Sequence, residues 1–122
     1  MERRAPYVAH SDARGRFRGL TRETWAEANF IETGAGQVRG NHYHAETREL
    51  FFIVRGEVHV EVEHLRTGER TEFTARAGDI FVIEPMEFHV FRTLTDAEWI
   101  NMLSRPMDSS RPDLHRRDAG GR

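Results

Sequence analysis

The chain has no cysteine and no lysine. Without cysteine there are no disulfides, no thiolate metal ligands and no sulfur nucleophile. Without lysine no Schiff base can form and no buried ammonium can act as a base, so acid–base chemistry falls to His, Asp, Glu, Tyr or a bound metal. All 18 basic residues are therefore arginine, against 20 acidic ones, for a formal net charge of -2. That balance lacks the basic excess of a nucleic-acid-binding protein, and no nucleic-acid partner is expected. No apolar run approaches the roughly 20 residues of a membrane-spanning helix. The opening Met1-Glu2-Arg3-Arg4-Ala5-Pro6 has no apolar signal core. A cytoplasmic protein without a membrane partner is the expectation. A length of 122 residues suits one domain with a single core.

What is present is a succession of short strands. Turn signals recur every eight to twelve residues or so, the cadence of an all-β sandwich or barrel. The cleanest alternation is Glu57-Val58-His59-Val60-Glu61-Val62-Glu63-His64, which turns valines to the core and acids to water; His59 shares the acids' face and is assigned to solvent. Arg66 to Arg70 is a hairpin loop and Thr71 to Ala75 its return strand. Leu50, Phe52, Val54, Phe88 and Val90 make the second faces of two central strands apolar as well, which points to a covering layer or a homodimer interface. Thr24-x-x-Glu27 fits a capping box for one helical turn.

The chemistry concentrates in two stretches. His42 and His44, one residue apart, share a face of an extended strand because side chains alternate with a period of two. Glu49 opens the next apolar strand on the same face as Phe51 and Ile53. A carboxylate aimed into a core is expensive unless a cation or strong donor meets it. Downstream, Gly78-Asp79 turns into an apolar strand, Pro85 marks a further turn, and His89 shares a face with Phe91. Imidazoles and a carboxylate together suit a divalent ion, so His42, His44, Glu49 and His89 are the candidate metal ligands, for zinc, iron, manganese, nickel or cobalt.

These two stretches resemble the two motifs of the cupin superfamily. The first runs from Gly36 through His42-x-His44 and Glu49 to Gly56, and the second keeps Gly78, Asp79, Pro85 and His89, with Glu84 and Met86 where the family often carries Pro and Gly. The resemblance implies a double-stranded β-helix, the jelly-roll barrel, over residues 28 to 104, with an N-terminal arm at 1 to 27 and a tail, partly flexible, at 105 to 122. Asp12-Ala13-Arg14-Gly15-Arg16-Phe17 and Arg39-Gly40-Asn41-His42 are similar to segments of the cupins that act on nucleotide-linked deoxysugars, the 3,5-epimerases and 3,4-ketoisomerases. Arg39-Gly40-Asn41-His42-Tyr43-His44 is similar to metal-bearing cupin domains of capsule sugar biosynthesis.

The resemblance implies an isomerase or epimerase acting on a small nucleotide-linked keto sugar. Arg14, Arg16 and Arg39 are then candidate substrate-binding residues, since guanidinium groups grip a diphosphate in bidentate fashion. His42 is the candidate catalytic base, with Glu84 and Glu87 as further bases beside the second motif. The epimerases also use a tyrosine acid, and the two tyrosines here are Tyr7 and Tyr43, the latter facing away from its flanking histidines. Other readings stay open. The pattern from Pro106 to His115 is similar to that of metal-dependent polyketide cyclases, the same ligand set serves cupin dioxygenases, and a non-catalytic cupin can hold a small ligand.

Overall fold

The computed structural model of the chain describes residues 1–117, as eleven strands and no helix. The strands are β1 (Glu2–Arg4), β2 (Val8–Asp12), β3 (Gly15–Gly19), β4 (Glu27–Thr33), β5 (Val38–His42), β6 (Glu49–Arg55), β7 (Glu57–His64), β8 (Arg70–Arg76), β9 (Ile80–Ile83), β10 (Glu87–Thr93) and β11 (Ala97–Leu103). A five-stranded sheet in the order β1-β9-β6-β11-β4 faces a four-stranded sheet in the order β5-β10-β7-β8, and β2 and β3 form a separate two-stranded ribbon. Every pairing is antiparallel. The fold is the expected all-β jelly roll, and no helix among the described residues is long and apolar enough to cross a membrane.

The core lies between the two sheets. Val58, Val60 and Val62 enter it from β7, Phe51 and Ile53 from β6, Phe81 and Ile83 from β9, Phe91 from β10 and Trp99 from β11. Period-two alternation puts them there; the residues between them face out, polar on β7 and apolar on β6 and β9. Phe51 stacks on Phe81 at 5.2 Å between ring centroids, and Phe91 leans on both and on Trp99. Gly56, with φ at +90°, turns the chain between β6 and β7 where a Cβ would sit 2.2 Å from the Asp96 carbonyl oxygen. Only glycine fits that turn.

Three expectations need correction. The N-terminal arm expected at 1 to 27 is not wholly outside the barrel, because β1 joins the five-stranded sheet by pairing with β9. The capping box of Thr24 and Glu27 starts no helix: Thr21 Oγ1 instead accepts from the Glu23 amide (3.1 Å) and from Trp25 Nε1 (3.0 Å), and Glu27 begins β4. That segment is spent covering the outside of the large sheet, where Leu20 and Trp25 pack on Leu50, Ile80 and Val82. Burial of that apolar surface outweighs a weak local helix signal. The tail, expected as a partly flexible segment outside the barrel, returns to it, with Tyr43 and His115 exchanging backbone hydrogen bonds of 2.9 Å each. The mobile end expected beyond it falls at residues 118–122, outside the described residues.

Candidate metal centre

Three strands and one loop deliver the four candidate ligands. His42 ends β5, Glu49 begins β6, His89 lies in β10, and His44 follows β5 by one residue past Tyr43. His42 and His89 are cross-strand partners, and the register slips between His89 and Val90 so that Gly40 pairs with Val90 and Asn41 is the extra residue. Asn41 takes φ +60° and Gly40 φ +79°, the left-handed turn of a β-bulge. At Gly40 a Cβ would meet the His89 carbonyl oxygen at 2.8 Å. The bulge thus needs glycine to press β5 onto the backbone that carries His89.

One atom from each of His42, His44, Glu49 and His89 lies within 4.8 Å of all the others. The ring centroids of His42 stand 4.9 Å from His44 and 4.7 Å from His89. Glu49 Oε1 sits 2.6 Å from His44 Nε2 and 3.5 Å from His89 Nε2. His44 Nε2 and Glu49 Oε1 are sealed from solvent and, despite their approach, are not aligned as a hydrogen bond. Buried polar atoms are normally satisfied, and two that aim at one point without bonding each other are arranged as ligands are. The donor set of three imidazoles and one carboxylate fits a divalent ion.

The atoms behind the ligands fix their orientation. His44 donates from Nδ1 to the Asp113 carbonyl, and His89 donates from Nδ1 to the Glu87 carbonyl at 3.0 Å, which leaves Nε2 of each ring as the lone-pair nitrogen. Glu49 Oε2 accepts from Asn101 Nδ2 at 2.5 Å, and Asn101 Oδ1 in turn accepts from Asn29 Nδ2 at 3.1 Å. Burial holds the His42 pKa down at about 4, helped by the neighbouring His89 and His44, and burial also lowers that of His89. Burial opposes charge on His44 too, but the adjoining Glu49 carboxylate outweighs it and raises the pKa. Glu49 is pushed up by burial and pulled down further by His44 and His89, ending below the usual carboxylate range.

His42, Glu49 and His89 line a cavity of about 380 Å³. Its opposite wall is apolar, with Ile31 from β4 and Trp99 from β11, and its rim carries Arg39, Leu114 and Arg116. Arg39 is at the mouth, its Nε donating to Thr33 Oγ1 at 2.7 Å and its Nη2 to the Glu32 carbonyl at 3.3 Å. Arg14 and Arg16 are not there. They sit on the exposed β2–β3 ribbon, where Arg14 pairs with Asp12 at 2.6 Å, and line a different concavity. Glu84 and Glu87 do not line the cavity either. Arg48 Nε holds Glu84 Oε1 at 2.8 Å. Glu87 is buried, with Oε1 accepting from the Glu84 amide at 2.7 Å and Oε2 against the Met1 amino group. Both carboxylates are occupied, so neither is placed as a base. Tyr43 turns to His115, at 5.2 Å between ring centroids, and does not line the cavity.

Asn101, Asp113, Leu114 and Arg116 were not anticipated. The sequence signals among them are the parity of Asn101, which shares a face with Trp99 and Leu103, and the pattern from Pro106 to His115 that contains Asp113 and Leu114. His59, assigned to solvent, is partly exposed on the outer face of the small sheet, 2.8 Å from Glu72 and 3.6 Å from Glu61.

The family model for the polysaccharide biosynthesis C-terminal domain matches residues 10–113. The chain belongs to that family. No curated protein sequence matches this polysaccharide biosynthesis C-terminal domain. Among solved structures it is similar to the 3'-monoepimerase ChmJ from Streptomyces bikiniensis, in complex with dTDP-quinovose, at a TM-score of 0.81 and 22% identity over 96% of this chain and 69% of that one. It is similar to the sugar 3,4-ketoisomerase QdtA from Thermoanaerobacterium thermosaccharolyticum, in complex with TDP, at a TM-score of 0.77 and 14% identity over 92% and 85%. It also superposes on the capsular polysaccharide assembling protein CapF from Staphylococcus aureus at a TM-score of 0.70 and 22% identity, covering 89% of this chain but 33% of that one. The domain thus spans about a third of the length of CapF. These likenesses establish the cupin jelly roll as its fold.

Proposed function

We propose that this chain is a metal-dependent cupin enzyme that isomerises or epimerises a nucleotide-linked sugar beside a carbonyl group. The observation that carries the reading is the convergence of His42, His44, Glu49 and His89 within 4.8 Å, at a cavity whose mouth holds two guanidinium groups. Membership in a polysaccharide biosynthesis family supports a sugar substrate, as do similar folds described with dTDP-quinovose and TDP.

A divalent ion held by these residues would polarise a carbonyl oxygen and so acidify the neighbouring C–H. The chain supplies the rest. With His44, Glu49 and His89 left to hold such an ion, His42, half-buried and with its pKa lowered, keeps a free ring nitrogen to accept the proton and return it, leaving substrate and product as isomers with no atom gained or lost. A base with a pKa of about 4 is weak, so the C–H must be acidified for it to work. Arg39 and Arg116 offer donors to a phosphate at the rim, and Phe51, Phe91 and Trp99 keep water from the inner wall.

A homodimer belongs to the same proposal. Phe30, Ile100 and Phe52 are cross-strand neighbours in an apolar row on the outer face of the large sheet, and Phe30 is 57% exposed. Arg14 and Arg16, remote from the cavity of their own chain, can serve a substrate only from a second copy.

A second reading is a non-catalytic cupin that binds a small ligand. It is favoured by the cavity lining itself, which among the described residues contains no carboxylate other than Glu49 and no tyrosine. The two readings separate in one experiment. Purified untagged protein is analysed for metal, and then incubated in deuterium oxide with a dTDP-linked 4-keto-6-deoxysugar. Deuterium entering the carbon beside the carbonyl, lost in His42→Ala, is the expected result. Bound metal without exchange leaves the binding reading, and protein that neither contains nor takes up a divalent ion defeats the metal-dependent enzyme.

A further inference from the structure

A polar C-terminal segment with two prolines and no apolar periodicity ordinarily gives a barrel nothing to pack. Here the segment makes a clamp. The Asp113 carboxylate accepts from the amides of Ala45 (2.8 Å), Glu46 (2.8 Å) and Thr47 (2.9 Å) and from the Thr47 hydroxyl (2.8 Å). Those donors outweigh the opposing effect of burial and hold the Asp113 pKa well below the usual carboxylate range. On one side of it, His115 pairs through its backbone with Tyr43. One residue further, Arg116 Nη1 donates to the Asn41 carbonyl at 3.1 Å. Between these anchors the Asp113 carbonyl receives the Nδ1–H of His44.

We infer that Asp113 is a positioning residue: it fastens the C-terminal segment over residues 44–47 and thereby sets the tautomer and direction of the His44 imidazole. The reasoning is that a neutral imidazole carries one proton, so a carbonyl fixed at Nδ1 leaves the lone pair on Nε2. That nitrogen is the one buried beside Glu49 Oε1 without a hydrogen bond. The same fastening puts Leu114 and Arg116 into the cavity wall, so the clamp joins two tasks, aiming a ligand and closing the pocket. The carboxylate acts through the loop and the main chain; it does not itself face the cavity.

The inference rests on the metal reading for one of its two readouts and stands without it on the other. Full-length Asp113→Ala and Asp113→Asn are compared with wild type, and with Asp108→Ala as a control in the same tail, whose carboxylate accepts from the amide and hydroxyl of Ser110. The first readout is zinc affinity by chelator competition. Asp113→Ala should bind zinc about 10- to 100-fold more weakly, the range for loss of a group that orients a metal ligand; Asp113→Asn, which keeps one acceptor oxygen, should fall between, and Asp108→Ala should match wild type. The second is the long-range nitrogen–proton spectrum of the metal-free protein at a pH above the raised pKa of His44, where the neutral wild-type His44 should carry its proton on Nδ1 and Asp113→Ala should lose that preference. Folded Asp113→Ala with wild-type zinc affinity and an unchanged His44 tautomer overturns the inference. Should wild type take up no zinc, the proposed function fails and the tautomer spectrum alone decides the role of Asp113. Should Asp113→Ala not fold, Asp113→Asn carries both measurements.

Discussion

Asn101 donates to Glu49 Oε2 from the neighbouring strand β11, at 2.5 Å, and so turns Oε1 toward His44 and His89. Both residues are buried, so removing the donor leaves a buried carboxylate oxygen unsatisfied. Asn101→Leu should cost about 1–3 kcal/mol of stability by urea denaturation. It should also weaken metal binding about tenfold or more, because Glu49 becomes free to rotate. A variant equal to wild type in zinc titration would show that Asn101 serves packing alone.

Gly40 and Met86 form a pair of opposite tests. Gly40 combines a φ of +79° with a Cβ position 2.8 Å from the His89 carbonyl, so Gly40→Ala should destabilise by about 1–3 kcal/mol from strain and shift the His89 ring signals. Met86 takes φ +69° with a side chain that pays for that region. Met86→Gly should be neutral or stabilising by up to about 1 kcal/mol. The urea midpoints check both signs.

The histidines give the chelator-treated protein a stability maximum near the ordinary imidazole pKa. His42 and His89 have lowered pKa values, to about 4 for His42. Between about pH 6.5 and 4 the unfolded chain therefore binds more protons at these sites than the folded one, and stability falls on acidification. His44 has a raised pKa, so its contribution is complete below about pH 6.5 and is lost as pH rises through its folded value. Urea midpoints across pH 4 to 8 should trace a dome, and a monotonic rise through neutrality would contradict the His44 assignment.

The apolar row on the large sheet predicts its own test. Phe30→Glu places a charge in the row formed with Ile100 and Phe52. Sedimentation should then show a dimer for wild type and a monomer for the variant, with the thermal midpoint of the dilute monomer lower. A wild-type monomer at micromolar concentration would remove the interface, and with it any role for Arg14 and Arg16 at a neighbouring site.

The parity of His42, His44, Glu49 and His89 was legible because strand alternation and turn residues are local; the same cadence gave an all-β sandwich or barrel, and the resemblance of the two motifs narrowed it to the jelly roll. Glu87 shares the inward parity of His89, yet its partners are the Met1 amino group and the Glu84 amide, which no local pattern announces. Asp113 was hidden for the same reason: an acceptor for three consecutive amides of a distant loop has no period to read. Arg14 and Arg16 were drawn toward the site by motif alone, and the ribbon that carries them pairs only with itself in the sheets. The helical turn at Thr24 failed because Trp25 had a better use on the outside of β6 and β9.

The cavity has two halves of different origin. Its polar floor comes from β5, β6 and β10, while Ile31, Trp99, Leu114 and Arg116 come from β4, β11 and the returning tail. Substitutions in the second group can reshape what is admitted without disturbing the first. A lineage built on this barrel is therefore free to change what the cavity admits while inheriting its floor of histidines and carboxylate intact.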